Sequence, residues 1–334
     1  MRFSRLLIAL SLAIVSSLRI SAQQPPTPQQ PKTTQDLTAL AEAQKSSIPS
    51  LRAAVVYLEV HGAGNSPAVA GTGFFVFLDN PTFPYQLIRH EGYLVTNRHV
   101  AQPGIDIGEP HDAVQVLISS NLRIPQGGKA SVTESIPLGG STHWYFSKDE
   151  SLDLAVLPWS PNMGRYEVGP ISTNSFATEE KIKANAIDIG DPVLFTGLFT
   201  SRPGSQRVEP IVRQGTLAMV PSEAMDTTLH KPGHIYLADA HAFHGNSGSP
   251  MFINVGGAHH GAFIAEDRYL LLGVVSGYFP EKAGYIVPAA SVLTGEVRDN
   301  SGIAVVVPAY ELLKLLSSVQ DQLDQEKANA AKKP

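Results

Sequence analysis

Three residues far apart in the chain, His99, Asp153 and Ser247, are of the types that nucleophilic acyl chemistry requires. Ser247 stands in the run Gly245-Asn246-Ser247-Gly248-Ser249-Pro250. Gly245 lets the backbone turn without a Cβ in the way, so that successive N–H groups can point at one spot. Such a spot can hold a tetrahedral oxyanion. The same hexapeptide also suits an ordinary turn between two strands, so by itself it leaves both readings open. A serine hydroxyl is a poor nucleophile unless a base lies within reach and a third group orients that base. His99 ends the apolar run that starts at Tyr93. Asp153 stands among Leu152, Leu154, Ala155 and Val156, where a lone carboxylate is costly to bury unless it is hydrogen-bonded. The order along the chain is His, Asp, Ser. Ser249 occupies the place of the second glycine in a G-x-S-x-G elbow, so that pattern is excluded.

Composition narrows the alternatives. The 334 residues contain no cysteine, which excludes disulfides, thiolate metal sites and a cysteine nucleophile. The net charge of −5 comes without a basic block, so no nucleic-acid partner is expected. No metal or other cofactor is expected either. His230 and His234 are four apart but separated by Pro232 and Gly233, and neither His241 with His244 nor His259 with His260 has the spacing of a zinc site.

The elements that must position the three residues read as short strands. Glycine (28) and proline (25) are plentiful, which suits many turns. Strands are expected over 53–60, 70–77, 93–100, 113–119 and 152–157, the third ending in His99 and the last carrying Asp153 near its start. A polar stretch fills 120–150, and 162–185 is mostly loop. Further strands are expected at 193–197, 211–220 (a pair or a bulged strand, turning near Gln214-Gly215), 235–239, 251–255, 260–264, 269–277, 284–288 and 303–307. Many short strands between Gly/Pro turns imply an all-β sandwich or barrel, here two β subdomains divided near 160–185. Pro308 opens the one long helix, in which Leu312, Leu313, Leu315, Leu316, Val319 and Leu323 recur with helical spacing. It is expected to pack on the barrel, with 324–334 fraying.

The N-terminus carries an address. Arg2 and Arg5 precede an apolar run, Leu6–Leu18, and Ser21-Ala22 offers a cut before Gln23. That is the pattern of a secretory signal peptide, and the apolar run is short for a membrane span. The expected organisation is a signal peptide over 1–22, a proline-rich spacer with a short helix (35–45, ended by Pro49) over 23–50, the strand-rich domain over 51–308, and a helix with a polar tail over 309–334. The mature chain is expected to be periplasmic or secreted, with no stable membrane span.

Four segments together resemble a known family: Gly71-Thr72-Gly73-Phe74-Phe75-Val76, Gly92 through His99-Val100, Leu152-Asp153-Leu154-Ala155-Val156-Leu157, and Gly245 through Pro250. Over about residues 53–310 the chain resembles the trypsin-like, chymotrypsin-fold serine peptidases of the bacterial kind, related to the HtrA/Deg proteases. The resemblance implies an all-β, chymotrypsin-like double β-barrel with a C-terminal helix. It also implies a serine endopeptidase acting on polypeptides through an acyl-enzyme. His99 would be the general base, Asp153 its orienting partner and Ser247 the nucleophile, with the N–H groups of Gly245 and Ser247 as the oxyanion hole. His241, Ala242 and Phe243 would approach the primary pocket, and Val275-Ser276-Gly277 would pair with an extended substrate. Two departures matter. Ser249 replaces the family's usual second glycine, and Asn246 stands where digestive trypsins carry the aspartate that pairs with a newly cut N-terminus. Activation by that ion pair is therefore not expected. A PDZ domain is not expected after Pro308, and the sequence leaves the oligomeric state open. The competing function is a catalytically silent trypsin-like domain that binds peptides or proteins.

Overall fold

The computed structural model describes residues 48–64, 68–78, 92–199, 204, 206–259, 262–264, 268–287 and 293–331. For 258–259, 262–264, 281–287 and 293–299 it describes the backbone alone. The signal peptide, most of the spacer with its helix over 35–45, and His260 lie outside the described residues. Pro49 stands in the first turn of α1 (Ile48–Ala53). A missing N–H costs nothing there.

The first half is a sheet of β1 (Val55–Gly62), β2 (Val69–Phe77), β3 (Gly92–Thr96), β4 (Ala113–Gln126), β5 (Lys129–Pro137), β6 (Tyr145–Phe146), β7 (Ala155–Pro158) and β8 (Ile171–Ser172). Its hydrogen-bonded order is β5-β4-β1-β2-β3-β7-β6, with β8 parallel to β2. Alternate residues point to opposite faces. Val56, Leu58, Phe75, Leu94, Ile118 and Leu157 therefore fill one core. Val55, Phe74, Val76, Tyr93, Val95 and Val156 face a second core shared with the rest of the chain. Two local expectations change here. The strand before His99 stops at Thr96, and His99 stands on the one-turn helix α2 (Arg98–Ala101). Asp153 lies ahead of β7 rather than within it. The polar stretch after residue 119 is the rest of the β4–β5 hairpin.

The second half contains α3 (Glu179–Ala184), β9 (Pro192–Gly197), β10 (Ile211–Met219), β11 (Met225–Asp226), β12 (Pro232–Gly233), β13 (Tyr236–Asp239), β14 (Pro250–Asn254), β15 (Gly257–His259), β16 (Ala262–Ile264), β17 (Tyr269–Val287) and β18 (Leu293–Pro308). Six of these close a barrel in the order β10-β13-β18-β17-β14-β9. Its interior holds Val193, Phe195, Leu217, Ala238, Met251, Ile253, Leu272 and Val306. Residues 211–219 form one bulged strand with no turn at Gln214-Gly215. The late strands are not short pieces, because β17 and β18 make one long hairpin. The 162–185 segment, expected as loop, holds β8 and α3.

The helix α4 (Ala309–Ala331) follows directly on β18. Its Leu312, Leu315, Leu316 and Val319 pack into the core between the halves, and Gln320 accepts a 2.6 Å hydrogen bond from the Tyr93 hydroxyl. It stays helical through the polar turns to Ala331, where fraying was expected; i,i+3 and i,i+4 pairs such as Lys327–Asp324 and Gln322–Glu326 support those turns. No helix among the described residues is long and apolar enough to cross a membrane. The chain thus has the all-β, chymotrypsin-like fold with its C-terminal helix. The barrel of the second half closes completely, whereas the hydrogen-bonded path of the first ends at β5 and β6.

Candidate active site

Asp153 and His99 meet because two tight connections end beside each other. After β3, Asn97 keeps an extended conformation (φ −82°, ψ 155°) and the chain then winds into α2. The Asn97 side chain donates to the Asp153 carbonyl at 2.8 Å, which fixes the turn that carries the aspartate. The Asp153 carboxylate is engaged on both oxygens. Oδ1 accepts the His99 backbone N–H at 3.0 Å, and Oδ2 lies 2.7 Å from His99 Nδ1. An acceptor at Nδ1 places the ring proton there and leaves Nε2 with a lone pair.

Two hydroxyls complete the surroundings of the carboxylate. Ser276 Oγ donates to Asp153 Oδ2 at 2.5 Å, and Thr228 Oγ1 lies 2.5 Å from Ser276 Oγ and 3.2 Å from Asp153 Oδ2. Because a hydroxyl has one proton, the consistent chain is Thr228 to Ser276 to Asp153. The side chain of Ser276, expected at the substrate wall, is therefore turned to the aspartate and is 2 % exposed. Thr228 was not legible in the sequence, since no motif marks it.

Burial alone would push the Asp153 carboxyl up. The neighbouring His99 charge, together with hydrogen bonds from His99 and Ser276, outweighs it and holds the group below the ordinary aspartate value. For His99, burial pulls down, but the charge and hydrogen bond of Asp153, with a smaller contribution from Asp106, raise its pKa above the ordinary 6.5. The imidazole side chain is 18 % exposed and the carboxylate 1 %, so of the two only His99 is open to solvent.

Ser247 follows a tight turn. Asn246 N–H donates to the Phe243 carbonyl at 2.9 Å, closing a turn whose third residue, Gly245, has φ 91°. A positive φ at that place is the signature of a type II turn and favours glycine. Asn246 Oδ1 accepts the Phe243 N–H at 2.9 Å, while its Nδ2 donates to Leu198 O at 2.9 Å. The N–H groups of Asn246, Gly248 and Ser249 all go to backbone carbonyls. Those of Gly245 and Ser247 are the two in this stretch that make no hydrogen bond among the described residues. They are the pair a tetrahedral oxyanion needs.

Thr72 ties this turn to the first sheet. Its N–H donates to Ser247 O at 2.9 Å, and its hydroxyl donates to Gly245 O at 2.7 Å while accepting the Leu198 N–H at 3.1 Å. Gly248, at φ 87°, passes so close to Thr72 O and Thr96 Oγ1 that a Cβ would overlap both. Ser247 Oγ points to Ser276 O at 3.4 Å; no hydrogen bond joins it to His99 Nε2 in this structure.

His241 and Phe243 are exposed on the segment leading to Ser247, their rings 6.5 Å apart. Gly277 lies in β17 opposite Val305 of β18. Among the described residues no three His, Asp or Glu side chains are grouped as a metal would require.

A family model described as Trypsin matches residues 85–293. Among solved structures, the crystal structure of Deg5 is 17 % identical, aligned over 74 % of this chain and 88 % of its own, with a TM-score of 0.40. No curated protein matches the sequence.

Proposed function

Because the chain belongs to the trypsin family, whose model spans residues 85–293, we propose that it is an exported serine endopeptidase. It cleaves polypeptides through His99, Asp153 and Ser247. The observation that carries this reading is the juxtaposition of a doubly held Asp153–His99 pair with two unpaired N–H groups on either side of Asn246.

In the reaction, the Ser247 hydroxyl leaves the Ser276 carbonyl by rotation about its Cα–Cβ bond, a motion of picoseconds to nanoseconds for an accessible side chain. His99 Nε2 takes its proton as Oγ attacks the scissile carbonyl. The imidazolium that forms faces Asp153 Oδ2, and the negative oxygen of the tetrahedral intermediate takes the N–H groups of Gly245 and Ser247. Nε2 then protonates the leaving amine, leaving an acyl group on Ser247 Oγ. Water enters, His99 removes its proton, and the same steps in reverse order of roles release the acid. Loose base–nucleophile geometry is common before substrate binds, which reconciles the 3.4 Å Ser247–Ser276 contact with catalysis.

That contact also motivates the second reading, a silent trypsin-like binding module. One experiment separates them. Purified protein is treated with a fluorophosphonate probe, with Ser247→Ala as control. Covalent labelling of the wild type alone supports the peptidase; no labelling across several buffers sinks it. Export is the proposal that follows from residues 1–22, and recovery of the full-length product uncleaved from the cytosolic fraction would refute it.

A further inference from the structure

Phe243, two residues before Gly245 and four before Ser247, is 39 % exposed although it is a large apolar side chain. The guanidinium of Arg213, reaching from β10, lies over its ring at 4.7 Å. Arg213 Nε is buried and has no hydrogen-bond partner among the described residues. No carboxylate stands within ion-pair distance of Arg213 or His241 among the described residues. His241, on the other hand, has its ring inclined at 30° to that of Phe243, lies at the protein surface, and has no hydrogen bond on either nitrogen among the described residues. A guanidinium whose sole partner is an aromatic face retains its capacity for a planar, bidentate carboxylate.

We propose that Arg213, with His241 beside it, receives an aspartate or glutamate side chain of the polypeptide substrate at a position next to the scissile bond. This rests on the peptidase reading and names its substrate class. Phe243 is the shared platform. Its N–H is held by Asn246 Oδ1, so the cation it carries stands at a fixed offset from the turn that holds the oxyanion donors. An acidic side chain bound there places the neighbouring carbonyl against Ser247, which couples recognition to attack. A cation with no competing carboxylate discriminates Glu from its isostere Gln by charge alone.

The test uses the full chain and internally quenched peptides that differ only in Glu or Gln, scanned over the three residues on each side of the bond cleaved. Fluorophosphonate labelling of Ser247 is measured in parallel. The expected result is one position at which Glu raises kcat/KM about 10- to 100-fold over Gln, the range of one charge-assisted hydrogen-bonded pair. In Arg213→Met that ratio falls to near one. Arg213→Lys, which keeps the charge and loses the fork, should lower it by at least about threefold, and it carries the test if the methionine variant fails to label. Labelling of the wild type with equal rates on Glu and Gln peptides at every position overturns the proposal and leaves the peptidase standing. A ratio unchanged in Arg213→Met, with both peptides slowed alike, also overturns it and makes Arg213 a clasp for Phe243 only. Failure of the wild type to label removes both readings.

Discussion

Replacing Asp153 by asparagine tests the site where its geometry is most constrained. The His99 backbone N–H at 3.0 Å and the His99 Nδ1 at 2.7 Å bind opposite oxygens of the carboxylate. In Asp153→Asn the backbone N–H demands the amide oxygen, so the NH2 group falls where Oδ2 was. It then donates to Nδ1, and the ring proton moves to Nε2, the nitrogen that has to accept from Ser247. The base is lost through the wrong tautomer while the side chain stays nearly isosteric. A rate loss of about 10⁴ in kcat is expected, which is about 5.4 kcal/mol of transition-state stabilisation. A second effect is separable. The wild-type His99 pKa is raised because the Asp153 charge outweighs burial. Since the reaction needs neutral His99, the acid limb of kcat/KM should lie above pH 6.5, with activity falling as pH drops through it. Without the Asp153 charge, only the smaller contribution of Asp106 opposes burial, and the limb should move to lower pH. The assay is kcat/KM on a fluorogenic peptide from pH 5 to 9, with the fluorophosphonate labelling rate as a second readout. A variant within tenfold of wild type at pH 8, or an acid limb that does not move, would refute the reasoning.

Two further changes probe the support of the nucleophile turn. Gly248→Ala puts a Cβ at φ 87° onto Thr72 O and Thr96 Oγ1, and should cost at least about 2 kcal/mol; urea denaturation with an unchanged midpoint contradicts this. Ser249→Ala removes a fully buried hydroxyl that has no partner among the described residues, and should stabilise by about 1–2 kcal/mol. A lowered urea midpoint would show instead that the hydroxyl is satisfied in solution.

The three residues proposed to react were legible because such chemistry leaves local marks: glycines around Ser247, an apolar strand before His99, an apolar run around Asp153. The strands with clear alternation were legible for the same reason. What failed has a common cause. The β4–β5 hairpin beyond Ser119 was read as a polar stretch because Asn121, Arg123, Gln126, Lys129, Ser131, Thr133 and Ser135 leave it little apolar alternation. Yet Gly127-Gly128, both at positive φ, is a strong hairpin-turn signal. The β17–β18 hairpin was read as separate short strands because its outer part lacks the apolar alternation that marks a core-facing strand. His99 moved from a strand end to a helix because four residues are too few to show a period.

The supporting contacts were illegible for a deeper reason. Thr72 meets Gly245 across 173 residues, and Ser276 meets Asp153 across 123, so neither pair leaves a pattern in any window of sequence. Yet these contacts decide whether the site is ready to react. His99 and Asp153 belong to the first half, while Ser247 and Ser276 belong to the second. The proposed triad, split in this way, is only as precise as the bonds that cross the divide. Thr72 makes three of them, to Ser247 O, Gly245 O and Leu198 N, and the last two run through one hydroxyl. Asn246 replaces the aspartate that an N-terminal ion pair would need, and its amide reaches Leu198 and Phe243 instead. Thr72 and Asn246 thus converge on Leu198 from opposite sides, which holds the Gly245 turn by neutral hydrogen bonds. A turn held by neutral hydrogen bonds should keep its order at salt concentrations that screen exposed ion pairs.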